Sequence, residues 1–317
     1  MTRIGFLLSP DFGMLGFASA VDALRHANQI EGREHYRWTL VSADGASVTS
    51  SAGVSLPIDT SVEDIADVDI LVVVAGVGAE HITDPRLLDA LKRNARRKLL
   101  LGGVSLGSYL LARAGLLDGY RCTVHWENLS AFREEFPRLE VSDEVFEIDR
   151  DRMTCSGGTA SLDMMLQLIA KNHGTGVAGK VADACMVDRV RTSGEPQRMP
   201  LRVRLGVTHP KLLHAIELIE RSEDHRQSQS QLAASVGLSE RQMERLFRKY
   251  LDTTPSQYAR NNRLRRGRDL LRQTTMNVID VAVACGFTTA SHFTKSYRDY
   301  FGITPGEDRG AVGRLLR

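Results

Sequence analysis

The sequence predicts two bodies in series: an α/β sandwich around a mostly parallel sheet, then an all-α region built from a doubled helix-turn-helix. Three observations carry this. Near-continuous apolar runs alternate with helical periodicity through the first half, the pattern of buried parallel strands and their crossover helices. In the second half one stretch recurs, with Leu232 answering to Val281 and Gly237 to Gly286. Charge divides along the same line: from Leu201 onward 20 Lys plus Arg face 12 Asp plus Glu, and before it 21 face 27. The net charge of +2 over 317 residues therefore conceals a basic C-terminal half beside an acidic N-terminal one. That is the footprint expected if only the former meets phosphate.

In order, Ile4–Ser9 is an apolar run ended by Pro10, and Met14–Asn28 has the spacing of an amphipathic helix. Tyr36–Val41 is a second strand, and Val54–Ile58, with the serine-rich residues before it, is a hairpin excursion. Asp69–Ala75 is the clearest buried strand and stops at Gly76-Val77-Gly78. Pro85–Arg97 is a helix and Lys98–Val104 the next strand. Ligands of such sheets bind at the carboxyl ends of the strands. There the chain reads Gly103-Val104-Ser105-Leu106-Gly107 and runs into a helix from Ser108, a small-residue elbow with a serine at its tip. Two more stretches follow strands: His125-Trp126 after Cys122–Val124, and Cys155 to Ala160 ahead of a helix over Ser161–Asn172. All three are expected to converge on one mouth. The domains expected are 1–190 and 210–317, joined by a linker over 191–209 of Ser, Gly, Glu, Gln and Pro composition.

Each copy of the repeat, over 231–250 and 279–301, is a short apolar helix, a turn glycine and a capped second helix. Up to the glycine the copies align at an offset of 49 and beyond it at 50, so one residue has been added in the turn. Ser239, with Gln242 three residues on, forms a capping box, and Thr288 or Thr289 caps the second copy. Met243, Leu246, Phe247 and Tyr250 make the inner stripe of copy one; Phe293, Tyr297 and Tyr300 or Phe301 make that of copy two. The outward residues, Ser239, Arg241, Gln242 and Arg245 in one and Ser291, His292, Lys295 and Arg298 in the other, have the donors a major groove asks for. Between the copies, Pro255–Gln273 is a helix carrying Arg260, Arg263, Arg265, Arg266, Arg268 and Arg272, a further basic surface for DNA. At about 27 Å, it is long enough to set two reading heads in successive major grooves about 34 Å apart.

Cys122, Cys155, Cys185 and Cys285 are scattered and form no C-x-x-C, so neither a disulfide framework nor a metal site is expected, and no motif calls for a cofactor. The N-terminus lacks a signal-peptide pattern and no apolar run nears the roughly 18 residues of a membrane span. A cytoplasmic protein without a membrane partner is expected.

The block Ala284-Cys285-Gly286-Phe287, Ser291-His292-Phe293 and Tyr300 to Pro305 resembles the AraC/XylS family of transcription regulators. The first half resembles the PfpI branch of the class I glutamine-amidotransferase-like proteins, a flavodoxin-like fold. Together the halves resemble the GlxA-type AraC regulators. Phe17–Asn28, Ala114–Tyr120, His125–Asn128 and Ser156–Met165 are closest in wording to regulators of quaternary-amine (glycine betaine, carnitine) and arginine catabolism. The resemblance implies binding to double-stranded promoter DNA, activation through RNA polymerase, and a homodimeric sensor domain for a small-molecule effector. Three departures speak against catalysis: Ser105 stands where the enzymes carry cysteine, Gly16 where they carry an acid, and Leu106 follows the elbow.

The effector site expected comprises Phe12, Phe17, Gly76, Ser105, Leu106, His125, Trp126 and Glu127: a carboxylate at the Ser105 elbow, and a cationic end met by Trp126 and by Phe17 or Phe12, with Glu127 a candidate partner for its charge. Two alternatives stand beside it. One is a serine hydrolase with Ser105 as nucleophile, His125 as base and an oxyanion hole near Gly76 to Gly78; the other is a dimerisation domain with an occluded pocket.

Overall fold

The computed structural model describes residues 1–221 and 228–315. Residues 222–227 and 316–317, parts of the expected C-terminal domain, lie outside the described residues. Contacts divide the chain into Met1–Gln197 and Arg198–Arg317.

The first unit runs β1 (Thr2–Leu8), α1 (Met14–Glu31), β2 (Tyr36–Ser42), β3 (Val48–Thr49), β4 (Ser55–Leu56), β5 (Thr60–Ser61), β6 (Ile70–Ala75), α2 (Pro85–Ala95), β7 (Leu100–Ser105) and α3 (Gly107–Arg113). It continues with β8 (Arg121–Cys122), α4 (Leu129–Glu135), β9 (Glu140–Val141), β10 (Phe146–Asp149), β11 (Arg152–Cys155), α5 (Ala160–His173) and α6 (Thr175–Ala184). The main sheet has the order β10-β11-β7-β6-β1-β2-β5. Only β10 pairs antiparallel within it. β6 accounts for the continuous apolar run: Val72 and Val74 enter the core that includes residues of α1, α5 and α6, while Leu71 and Val73 enter the core that includes residues of α2, α3 and α4. A strand covered on both faces has no position left for a polar side chain.

β1 lies between β2 and β6, so the chain order reverses there and a crevice is expected between the carboxyl ends of β1 and β6. It is filled by backbone. Leaving β1, the chain turns through Asp11 at φ 56° and crosses Gly76 so closely that a Cβ on Gly76 would lie 1.8 Å from the Asp11 carbonyl oxygen. The crossing is pinned from above, where Asp11 N donates to Thr49 O (2.9 Å) and Ser51 N to Phe12 O (3.0 Å).

The expected linker is a correction. Residues 191–197 are docked on the first unit: Val145 N donates to Glu195 O (2.8 Å), and Gln197 Nε2 donates to Thr123 Oγ1 and Val124 O (2.9 Å each). Residues Leu201–Leu205 form a helix, α7, of the second unit. Polar, Gly- and Pro-containing composition suits an edge-pairing segment as well as a free tether, and pattern alone does not separate them.

The second unit continues with α8 (Pro210–Arg221), α9 (Gln229–Ser235), α10 (Glu240–Leu251), α11 (Pro255–Gln273), α12 (Val278–Ala284), α13 (Ala290–Phe301) and α14 (Pro305–Leu315). Gly237 and Gly286 take φ of 64° and 70°, the left-handed turn that the repeat requires. Ser239 caps α10 two residues after its glycine and Thr289 caps α13 three after, which is where the repeat slips. Met243, Phe247, Phe293 and Tyr297 are buried as the stripes predicted, whereas Tyr250 is 39% exposed.

α11 departs most from expectation. Composition makes its arginines a basic surface for DNA, yet Arg263 Nη1 donates to Gly286 O (3.0 Å), Arg265 to Tyr300 Oη (2.8 Å), and Arg268 and Arg272 bind Asp308 on α14. Asp308 is fully buried. Its Oδ2 accepts from Arg268 Nε (2.7 Å) and Tyr297 Oη (2.6 Å), and its Oδ1 from Arg272 Nη2 (2.6 Å). Burial alone would raise this carboxyl's pKa; the hydrogen bonds from Tyr297, Arg272 and Arg268 outweigh it and hold the pKa below the usual aspartate value.

Two outcomes follow. Asp308→Asn is expected to destabilise the second helix-turn-helix by about 3 kcal/mol, since two arginines lose their charged partner. The wild-type contribution should be complete above the ordinary aspartate pKa of about 3.9 and vanish as pH falls through the lower folded value. Urea melts of both proteins between neutral and acid pH check this, the gap closing only at the acid end. Gly76→Ala should cost more than about 3 kcal/mol or prevent folding, because its Cβ meets backbone; circular dichroism melts measure it.

Candidate nucleic-acid interface

The two capped helices present their outward residues as expected: Ser239, Arg241, Gln242 and Arg245 on α10, and Ser291, His292, Lys295 and Arg298 on α13, are all exposed. They are not equivalent. Ser239 Oγ accepts from Gln242 N (3.2 Å), and Gln242 Oε1 in turn accepts from Ser239 N (2.9 Å). The Gln242 carbonyl is thereby committed to the capping box, leaving its amide nitrogen as the outward donor. A bidentate contact with adenine needs both groups, so Gln242 loses the role the sequence suggested unless the cap opens.

Arg241 and Arg245 make no side-chain hydrogen bond or ion pair among the described residues, and neither do Lys295 and Arg298. Arg248, next on the helix, is tied to Glu244 (3.0 Å). Unpaired guanidinium forks on a rigid helix keep their donors for a partner. On α13 a groove lined by Ala290, Ser291, Thr294, Lys295, Arg298 and Thr304 runs along the outer face. His292 packs its ring edge-on to Phe287, with centroids 5.5 Å apart. Phe287 also lies under Arg263 (4.9 Å), so the turn and the reading helix are braced together.

In the first unit the Ser105 elbow meets the turn that follows Cys155, and the chain ahead of His125 runs beside β11. Val104 pairs with Cys155 across β7 and β11, and Thr123 N donates to Thr154 Oγ1 (2.9 Å), bringing the chain ahead of His125 beside β11. Ser105 takes φ 57°, the strained elbow conformation. A Cβ on Gly157 would lie 2.7 Å from that of Ser105, so the Gly157-Gly158 turn is pressed against the elbow. Gly16 abuts the same turn: a Cβ there would lie 3.1 Å from Val104 Cγ1 and 3.3 Å from Gly158 N and Ser161 Oγ, a tight fit for any side chain.

Several expected ligand contacts are placed elsewhere. Phe12 (0% exposed) and Phe17 (8%) are core residues in edge-to-face contact, with centroids 5.7 Å apart. Leu106 is buried, and Gly76 is covered by Asp11. Ser105 and His125 remain half-buried, and Trp126 and Glu127 are exposed. Burial lowers the His125 pKa, with Glu127, 3.7 Å away, partly opposing. The Ser105 hydroxyl makes no hydrogen bond to His125 or to any other described residue. Sequence reasoning missed Cys155 and Ser161, buried behind the elbow with Sγ and Oγ 3.5 Å apart. Burial pushes the Cys155 thiol pKa up, so it stays protonated and unreactive.

Residues 2–171 match the model described as the DJ-1/PfpI family, and residues 232–311 one described as a helix-turn-helix domain. Along 96% of its length the chain is 45% identical to the HTH-type transcriptional regulator GbdR of Pseudomonas aeruginosa, covering 83% of that protein. Over 56% of its length it is 32% identical to isonitrile hydratase of Pseudomonas putida, covering 74% of it. Among solved structures, an AraC family transcriptional regulator from Pseudomonas putida superposes with a TM-score of 0.55 at 31% identity, over 58% of this chain and all of that one. With both halves matched in this order, the chain belongs to the DJ-1/PfpI family, among the members that carry an AraC-type helix-turn-helix and act as DNA-binding transcriptional regulators.

Proposed function

We propose that this regulator reads promoter half-sites through Arg241 and Arg245 on α10 and through Ser291, His292, Lys295 and Arg298 on α13. The observation that carries the proposal is the set of exposed cationic side chains left unpaired on two capped helices, while the arginines between them are tied up internally. Arg241 and Arg245 have the fork that fits guanine, and Lys295 suits a phosphate as a point charge. Ser239 acts by holding the first turn of α10 in place, and Gln242 offers one donor.

The first unit acts in this reading as a homodimeric sensor rather than as a catalyst, and the regulator as an activator that engages RNA polymerase. An amino-acid-derived or quaternary-amine effector would meet the half-buried elbow at Ser105 and the His125-Trp126-Glu127 edge. Phe12, Phe17, Leu106 and Gly76 shape the floor from beneath and do not contact it. A hydrolase reading draws support from the likeness to isonitrile hydratase and from the strained φ of Ser105. Against it stand the missing Ser105–His125 hydrogen bond and the glycine, with no acid, at position 16.

In gel shifts on the promoter, Arg241→Ala should weaken specific binding by about 1–3 kcal/mol and relax one position of the site. Lys295→Ala should weaken all sequences alike and reduce the salt slope by about 1. Unchanged affinity in both would dismiss the interface. In a thermal-shift screen of betaines, carnitine and arginine derivatives, a responding compound should lose its effect in Trp126→Ala. Ester or amide turnover that disappears in Ser105→Ala would instead establish the hydrolase.

A further inference from the structure

The carboxylate of Glu220 on α8 is a meeting point of three elements. Its Oε2 accepts from Arg204 Nη2 (2.7 Å) and lies 3.6 Å from Arg198 Nη1, while its Oε1 accepts from Tyr258 Oη on α11 (2.8 Å). Arg198 and Arg204 lie in the segment with which the second unit begins. That segment is otherwise lightly held. No residue of α7 is fully buried; Leu201 and Leu205 pack only partly on the first helix-turn-helix core, and Val203 is 55% exposed. Arg204 also sits at a cost, since its Nε and Nη1 are shielded from solvent yet bond no acceptor. Undocking would hydrate both.

The flanks are firm by contrast. Gln197 Nε2 donates to Thr123 Oγ1, Val124 O and Glu144 O, and Val207 is 3% exposed within the core of the first helix-turn-helix.

We infer that residues 198–206 form a strap, latched to the DNA-binding domain through Glu220, whose release lengthens the tether between the two units. Docked, the five residues of α7 rise about 7.5 Å, and extended the same five would span roughly 17 Å. Released, the stretch from Gln197 to Val207 reaches roughly 33 Å. In a dimer this difference sets which half-site spacings both reading heads can occupy together, because a tether too short for the span contributes nothing. Only this consequence rests on the regulator reading above; the latch itself stands on the contacts of Glu220.

The test is limited trypsin digestion of the full-length protein, wild type against Glu220→Gln and Arg198→Ala. Cleavage after Arg202 and Arg204 is expected to rise roughly tenfold or more in Glu220→Gln and less in Arg198→Ala. Cleavage after Arg241 and Arg245 should stay at the wild-type rate, reporting an intact first helix-turn-helix. Gel shifts on paired half-sites with graded spacers should then find Glu220→Gln accepting spacings that the wild type rejects. Unchanged cleavage at Arg202 and Arg204 in both variants overturns the strap, as does an equal rise at Arg241, which would make Glu220 part of the fold. Digestion involves no DNA, so its failure leaves the regulator reading standing. Wild-type protein that ignores its promoter would sink that reading and leave the latch intact.

Discussion

The buried carboxylate of Asp308 fixes the geometry on which DNA reading depends. It joins α14 to two arginines of α11 and to the Tyr297 hydroxyl of the second reading helix, so three helices share one charged centre. A buried charge is tolerated only when its partners are all in place. The second reading head is therefore seated on α11 in one orientation, and the same α11 begins at the first head with Thr254 as its cap. Gly267 completes the seat, since a Cβ there would come within 2.8 Å of the Phe293 ring.

This arrangement gives the basic composition of the second half two separate meanings. Arg263, Arg265, Arg268 and Arg272 face carbonyl, phenol and carboxylate groups of their own domain, and they hold the fold together. Arg241, Arg245, Lys295 and Arg298 face outward without such partners. A charge count adds the two sets together, and only side-chain geometry separates them.

Much of the fold was legible in the residues. β6 announced itself because a doubly covered strand must be apolar at every position, and the repeat announced itself because glycine, cap and stripe recur with one slip. Pro255–Gln273 was bounded by a proline at its first position and matches α11 end to end. What stayed hidden depends on contacts between distant parts of the chain. Asp308 lies beyond the repeat and looks like any first-turn acid until Arg268 and Arg272 are seen beside it. Phe12 and Phe17 read equally well as pocket walls or core, and the packing of Phe6 and Phe17 decides for core. The segment 191–197 has tether composition, but the hydrogen bonds of Glu195 and Gln197 make it part of the first unit.

The capping box on α10 bears on the grammar of the operator. With the Gln242 carbonyl turned back on its own helix, the first head presents the two arginine forks of Arg241 and Arg245, whereas the second sets the single fork of Arg298 beside hydroxyl, imidazole and ammonium groups. If these helices read bases as proposed, the two heads of a single chain differ in chemistry, so the word they read together would be asymmetric and would have a direction along the promoter. Any inverted symmetry in the full operator would have to come from pairing two such chains.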